Sequence, residues 1–417
     1  LGAPVGPGLL FFSISMTRTF FFLQGTASPF FACLAAAMRT RGHRVVRVNF
    51  CGGDLLYAGE VASIDCSVPL SEMRAWYVQQ LREYASEDVV LFGDCRPVHQ
   101  PVHGMPGVRV HVFEEGYVRP HWLTLEQHGV NGRSILPRDP DWYLQRFREN
   151  PSGTVARSTG YSLSERAWHD IRYRLANAMH ARRYPHYRSH RPRNGLVEYA
   201  GLANRFARQA LHKREAERVT AEVLAAGVSY YLFPLQLGSD SQIVVHSPFN
   251  GIRNVIDEVI ESFAQHAPAQ ALLLIKNHPL DTGLIDYRRY AFARARSLGV
   301  DARLRFLEAG HLPTLLEHAH GVIVVNSTVG LSALHHGRPL IALGEAIYDI
   351  ERLTWQHGLE RFWREALPPD MDVYWAFLNY IIKRTQINGD FYTKSGIAMA
   401  VEQAATRIEE GAHGYTC

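Results

Sequence analysis

Two adjacent carboxylates, Glu114 and Glu115, close the apolar run VRVHVFEEGY, and a third, Asp240, sits in the polar turn PLQLGSDSQI. A carboxyl group inside a closing cleft has its pKa raised toward neutrality, where it can exchange a proton with a sugar hydroxyl. Side chains alternate along a strand, so only one of Glu114 and Glu115 is expected to enter such a cleft. The pair reads equally well as solvated loop acids. Asp240 suits the ordinary role of a helix N-cap or turn residue. It also has the chemistry of a nucleophile that traps an oxocarbenium-like sugar as a covalent adduct.

Other clusters suit an anion. LQGTASPFF puts Gln24, Gly25 and small hydroxyl residues between a strand and a helix N-terminus, where backbone donors and the helix dipole favour negative charge. KNHP carries Lys276, Asn277 and His278 at another strand end, and Pro279 holds His278 extended. NSTVGLSAL places Asn326, Ser327 and Thr328 at the start of the next crossover helix, where they serve either as phosphate donors or as ordinary caps. Gln236 shares the turn of Asp240. Asp54 follows a strand end in the GGD triplet at 52–54, a turn by default that could face a cleft. There is no HExxH, no DxD with metal spacing and no Walker A pattern, and the five cysteines lie far apart with no CxxC, so no metal site is expected.

The elements that must position these residues alternate. TFFFL, ASPFFACLAAAMRTRGH and RVVRVNF read as strand, helix and strand; Pro29 sits near the helix start and Gly42 just past its end. DVVLFGD and VRVHVFEEGY add strands, with the helical EMRAWYVQQLREYA before them. A second cycle runs SYYLFPLQ, a helix, ALLLIKNHP, LRFLE, GVIVVNS, a helix and PLIALGE. Strands this continuously apolar belong to parallel sheets covered on both faces. The expected fold class is α/β, with two Rossmann-like domains facing a central cleft. Residues 1–15 precede Met16 and are expected to be an extension without a structural role. Residues 16–227 are assigned to the N-terminal domain, 228–385 to the C-terminal domain, and 386–417 to a helix packing back on the body.

With 417 residues, 47% hydrophobic and 20% charged, the chain can bury sizeable cores, which excludes a disordered or fibrous protein. A formal net charge of +4 permits acidic substrates or anionic lipid and does not call for nucleic acid. The segment 181–214, rich in Arg, His and Tyr, reads as a solvated helical face or as a basic surface for anionic headgroups. The apolar stretch within residues 1–15 is too short to span a bilayer.

Taken in order, FFLQGTASPFFACLAAAMRTRGHRVVRVNFCGGD, LFGDCRPVH, FEEGYVRPHWLTLE, YYLFPLQLGSDSQI, KNHPLD and NSTVGLSALHHGRPLIALG resemble the capsule polysaccharide β-Kdo transferases of the KpsS type, over about residues 19–355. The resemblance implies a glycosyltransferase-B architecture. It implies CMP-β-Kdo as donor, with no cofactor or metal, and a lyso-phosphatidylglycerol-type lipid as acceptor at the cytoplasmic face of the inner membrane. Other capsule biosynthesis and ABC export proteins are implied as partners. By resemblance Asp240 is the nucleophile of a retaining double displacement. Glu114, in preference to Glu115, is the acid/base, and His278, Ser327 and Thr328 hold the CMP phosphate. One departure is visible: where the family more often carries Gly before Leu-Thr, this chain has Arg352. A non-catalytic export or assembly component, and a transferase for another CMP-activated acidic sugar, are the alternatives.

Overall fold

The computed structural model describes residues 17–189, 195–237 and 241–410. The expectations for residues 1–15 and for Asp240 therefore lie outside the described residues.

A seven-stranded sheet is built from β1 (Thr19–Phe22), β2 (Arg44–Asn49), β3 (Ser63–Asp65), β4 (Asp88–Phe92), β5 (Arg109–Glu115) and β6 (Trp122–Gln127), with one strand from the far end of the chain. A five-stranded sheet contains β7 (Tyr230–Pro234), β8 (Leu272–Lys276), β9 (Leu304–Leu307), β10 (Gly321–Val324) and β11 (Leu340–Ala342). The late strand is β12 (Gln386–Asn388), and the first sheet runs β12-β6-β5-β4-β1-β2-β3. The second runs β11-β10-β7-β8-β9. In each half the chain builds outward from a central first strand, then returns to its other side with the fourth. This is the Rossmann order, and it opens a crevice beyond the strand ends where the order reverses. Both halves together have the glycosyltransferase-B architecture.

Parallel strands covered on both faces explain the unbroken apolar runs. Phe20 and Phe22 pack on one side of the first sheet and Phe21 and Leu23 on the other. In the second sheet, Tyr230 and Leu232 face one core while Tyr231 and Phe233 face the other. The helix Phe30–Thr40 ends as its sequence indicates, with Gly42 at φ +91° beyond it.

Two edges differ from the sequence reading. β6 pairs antiparallel with β5, and β12 pairs antiparallel with β6, so the C-terminal segment completes the N-terminal sheet. The last helix, Lys394–Glu409, then lies against Phe30–Thr40, with Ile397, Ala400, Val401 and Ile408 in the same core as Phe30 and Leu34. The GGD triplet is the first turn of a short helix, Gly52–Leu56, rather than a free turn. Its glycines are required by close approach. A β-carbon on Gly52 would lie 2.1 Å from the Ala176 carbonyl oxygen, and one on Gly53 would lie 2.4 Å from the Tyr173 ring. Both neighbours belong to the helix Leu163–Met179.

Candidate active site

A cavity of about 490 Å³ opens beyond the C-terminal ends of the first sheet, and residues of both halves line it. Gly25, Glu114, Glu115 and Arg96 come from the first half, and Leu237, Asp281 and Thr282 from the second. Both acids of the FEEGY pair border the cavity, which corrects the expectation that only one would. Strand alternation still separates their surroundings. Glu114 accepts the backbone N–H of Glu115 at 2.9 Å and lies near Arg96. Glu115 accepts from the Tyr392 hydroxyl at 2.9 Å and pairs with Arg166 at 3.2 Å. At the sheet's end the cavity wraps around the strand and reaches both sides.

Burial pushes the Glu114 carboxyl up to about 7, and the charges of Glu115 and Asp94 act in the same direction against Arg96. Its side chain is exposed only in part, at the wall of the cavity. Arg166 stacks over the Tyr392 ring at 4.9 Å; burial works to lower its pKa, and Glu115, Tyr392 and Tyr161 together outweigh that and raise it.

Gln24 and Asp54 form the floor one hydrogen bond behind this wall. The Gln24 amide nitrogen donates to Asp54 at 3.0 Å, to the Tyr173 hydroxyl at 3.2 Å and to the Tyr187 hydroxyl at 3.3 Å. Its oxygen accepts from Arg96 at 3.0 Å, and Arg96 also reaches the Gly25 carbonyl at 2.8 Å. Asp54 takes the Tyr173 hydroxyl at 2.8 Å and the Phe50 N–H at 3.0 Å. These groups fix one another; Tyr173, Tyr187 and Arg96 present the network to the cavity.

The sequence reading missed the helix that supplies one wall. Leu163, Arg166, Asp170, Tyr173 and Asn177 recur at helical spacing along Leu163–Met179 and line the cavity together. That polar stripe was the available signal.

On the second half, the loop after β8 holds Lys276, Asn277 and His278. Asn277 donates to Glu308 at 2.9 Å and accepts the N–H of His278 at 2.8 Å. The Leu280 N–H donates to His278 Nδ1 at 3.1 Å, so neutral His278 carries its proton on Nε2. Burial, then the cations Lys276, Arg119 and Arg205, push His278 down to about 4. Burial lowers Lys276 as well, with Arg205 acting the same way. Gln236 and Asn326 exchange two hydrogen bonds, at 2.9 and 3.1 Å, across the point where the second sheet's order reverses. The Ser327 hydroxyl accepts the Val329 N–H at 3.2 Å, and Thr328 caps the same helix without a side-chain bond. His278, Asn277, Lys276, Asn326, Ser327, Thr328 and Gln236 do not line the cavity that holds Glu114. The link between the groups is Arg119, which follows Glu114 on the next loop and acts electrostatically on His278.

One cluster spans the halves. Asp94, Cys95 and His246 are buried with their ligand atoms all within 4.8 Å, a grouping that could hold a metal ion. The sequence reading had no means of finding it, because its members are 151 positions apart. As it stands the cluster is a hydrogen-bonded bridge, with Cys95 Sγ 3.2 Å from Asp94 Oδ1 and His246 Nδ1 3.2 Å from Glu345.

Two Rossmann-like halves with an acid-bearing cavity between them define a protein of glycosyltransferase-B architecture. Residues 87–392 match the family described as capsule polysaccharide biosynthesis protein, and the chain belongs to that family. The capsule polysaccharide export protein KpsS of Escherichia coli is 35% identical over 90% of this chain and 97% of its own. The capsule polysaccharide modification protein LipB of Neisseria meningitidis serogroup B is 33% identical over 89% of this chain and 91% of its own. Among solved structures, Thermosulfurimonas dismutans KpsC, beta Kdo 2,7 transferase, matches at a TM-score of 0.45 and 14% identity, covering 94% of this chain and 99% of that one.

Proposed function

We propose that the chain is a retaining, metal-independent glycosyltransferase that moves Kdo from CMP-β-Kdo to a lyso-phosphatidylglycerol-type lipid at the cytoplasmic face of the inner membrane, starting the linker of a capsular polysaccharide. The observation that carries this reading is Glu114, an acid with its pKa raised to about 7 in a cavity bordered by both halves. Near neutral pH such a group is about half ionised and takes a proton from a hydroxyl as that hydroxyl attacks an anomeric carbon. Arg96 supplies the cavity with a cation suited to the carboxylate of an acidic sugar.

In the proposed double displacement the Asp240 carboxylate attacks the anomeric carbon and CMP departs with the bonding electrons. The lipid hydroxyl then attacks the same carbon, Asp240 leaves, and the proton passes to Glu114. Two inversions return the starting configuration. Kdo has no hydroxyl on C3 to assist, which makes a protein carboxylate the reasonable covalent partner. The assignment of Asp240 rests on sequence; Leu237, three positions earlier, lines the same cavity as Glu114. CMP leaves as a phosphate monoester, so the Nε2–H of His278 and the hydroxyls of Ser327 and Thr328 are suited to hold it without a metal.

The test is to incubate the full chain with CMP-Kdo and lysophosphatidylglycerol and follow the lipid by mass spectrometry. A Kdo-bearing lipid, lost in Asp240→Asn, is expected. Its absence at any protein concentration overturns the reading, and transfer from CMP-sialic acid alone reassigns the donor. The Escherichia coli relative is named an export protein, which favours a second reading, a non-catalytic export component. That protein would bind the glycolipid and show no turnover.

A further inference from the structure

The helix Leu163–Met179 is amphipathic in the opposite sense to a helix packed on a core. Ile252–His266, for comparison, buries Ile252, Val255, Ile256, Val259, Ile260 and Phe263 and turns its charged side outward. On Leu163–Met179 the only buried residue is Ala176. The helix is held by its polar side. Arg166 pairs with Glu115, Asp170 accepts from Tyr199 at 2.7 Å, Tyr173 donates to Asp54, and Asn177 accepts the Gly53 N–H at 2.6 Å. Its apolar stripe faces out: Trp168 is 59% exposed, Ile171 44%, Leu175 60% and Met179 73%. At 100° per residue these four span roughly 80° of the helix circumference, on the side away from the cavity. A contiguous apolar face of this kind marks an interaction site.

Charge decides what covers it. Residues 163–189 carry six arginines against two acids, an excess equal to the net charge of the whole chain. Arg172, next to Ile171, is exposed, as are Arg182 and Arg188 on the segment that follows the helix. An apolar band containing Trp, flanked by cations, is the composition of a helix lying in the interface of an anionic bilayer. No helix among the described residues is long and apolar enough to cross a membrane. On the cavity side of the helix, Leu163, Phe206 and Leu280 line the cavity and are themselves exposed, which gives it an apolar rim.

We propose that the outward face of the helix Leu163–Met179 lies in the plane of an anionic lipid surface, with the apolar rim of the cavity on the other side of the helix, roughly one helix diameter of 10 Å from that surface. A single-chain lipid then reaches Glu114 with its hydroxyl inside the cavity and its acyl chain along Leu163, Phe206 and Leu280. This delivery step rests on the reading that the cavity takes a lipid acceptor; the docking surface does not.

The experiment is flotation of the full chain with vesicles of phosphatidylglycerol in phosphatidylcholine, compared with phosphatidylcholine alone. The variant combines Trp168→Ser, Ile171→Ser and Leu175→Ser, all on exposed positions. The proposal expects binding to the anionic vesicles only, about tenfold or more weaker in this variant, with circular dichroism and Tm unchanged. Arg172→Glu with Arg188→Glu, or high salt, gives a comparable loss. Sugar transfer to a short-chain acceptor below its micelle concentration stays at the wild-type rate in the triple variant, while transfer to the acceptor embedded in vesicles falls. Wild-type flotation of the triple variant overturns the proposal. A dimer that the triple variant converts to monomer overturns it also, since the stripe is then a protein interface. Vesicle binding that depends on the stripe, with no sugar transfer to either acceptor, leaves the docking surface standing and ends the transferase reading.

Discussion

Cys95 Sγ lies 3.1 Å from His246 Nε2, and the two residues come from different halves of the molecule. Cys95 follows β4 beside the cavity-lining Arg96, and His246 follows the first short helix of the second half. Burial, reinforced by the Asp94 charge, pushes the Cys95 thiol far up, so it stays protonated, donates to Asp94 Oδ1 at 3.2 Å and is not a nucleophile. Glu345 on the far ring nitrogen orients His246. The pair therefore pins the two halves against each other at the edge of the crevice.

Replacing Cys95 with Ala removes the sulfur between Asp94 and the imidazole and leaves both without that partner. A loss on the order of 1 kcal/mol is expected, with Cys95→Ser losing less. Thermal unfolding of the three proteins measures it, and equal Tm values for Ala and wild type would remove the bridge from the account. Alkylation should be slow until the chain unfolds, because the thiolate is scarce.

Glu114 and Glu115 are adjacent in sequence and should differ in kinetics. Glu114→Gln deletes the group raised to about 7 and should lower kcat by roughly 100-fold to 10,000-fold. Wild-type kcat/KM should rise with pH through about 7 as Glu114 ionises, and that limb should vanish in the residual activity of Glu114→Gln. Glu115 is held by Arg166 and Tyr392, so Glu115→Gln should alter KM more than the pH profile. A wild-type profile flat from pH 5 to 9 would refute the base assignment.

Much of this arrangement was legible because parallel strands buried on both faces are written as apolar runs. Phe20 to Phe22 and Tyr230 to Phe233 announce central strands without any tertiary information. The ends of β1, β5 and β7 carry Gln24, the Glu114 and Glu115 pair and Gln236, so strand position led to these turns. β12 was hidden because it is a short strand from the end of the chain, paired with a strand about 260 positions away. The helix Leu163–Met179 was hidden for a different reason. Periodicity reports that a helix has two faces, and the usual assumption buries the apolar one. Here the Asp170 and Tyr173 side is held against the protein and the Trp168 side is outside, which only the three-dimensional partners reveal.

Arg352, at the position where the resemblance leads to an expectation of Gly, has a φ of +69°. A side chain in the left-handed region is strained, and Gly is not. Arg352 is held by ion pairs to Asp370 at 2.5 Å and Asp141 at 2.9 Å. Arg352→Ala keeps the strain and discards the pairs, whereas Arg352→Gly discards both. Gly should therefore melt above Ala, by about one degree in a chain of this length. A lower Tm for Gly than for Ala would show that the backbone there is not strained.

Glu126 is 2% exposed and accepts from the Tyr117 hydroxyl and the Ser134 hydroxyl, each at 2.5 Å. Burial outweighs both bonds and raises its carboxyl to about 7. Between the unfolded value of 4.5 and 7, the folded chain holds a proton at this site that the unfolded chain has released. Protons then favour the folded state, so this group's contribution to stability falls as pH rises through that window, by on the order of 3 kcal/mol once complete. Glu126→Gln is neutral throughout and lacks the slope. Its Tm relative to wild type should therefore rise from pH 5 to pH 8, with wild type ahead or equal at pH 5, where protonated Glu126 keeps both partners. His278, which must gain a proton in the unfolded chain below 6.5, has the opposite slope and is the same in both proteins, so it cancels in the difference. A constant Tm difference across that range would mean that Glu126 is already ionised in the fold.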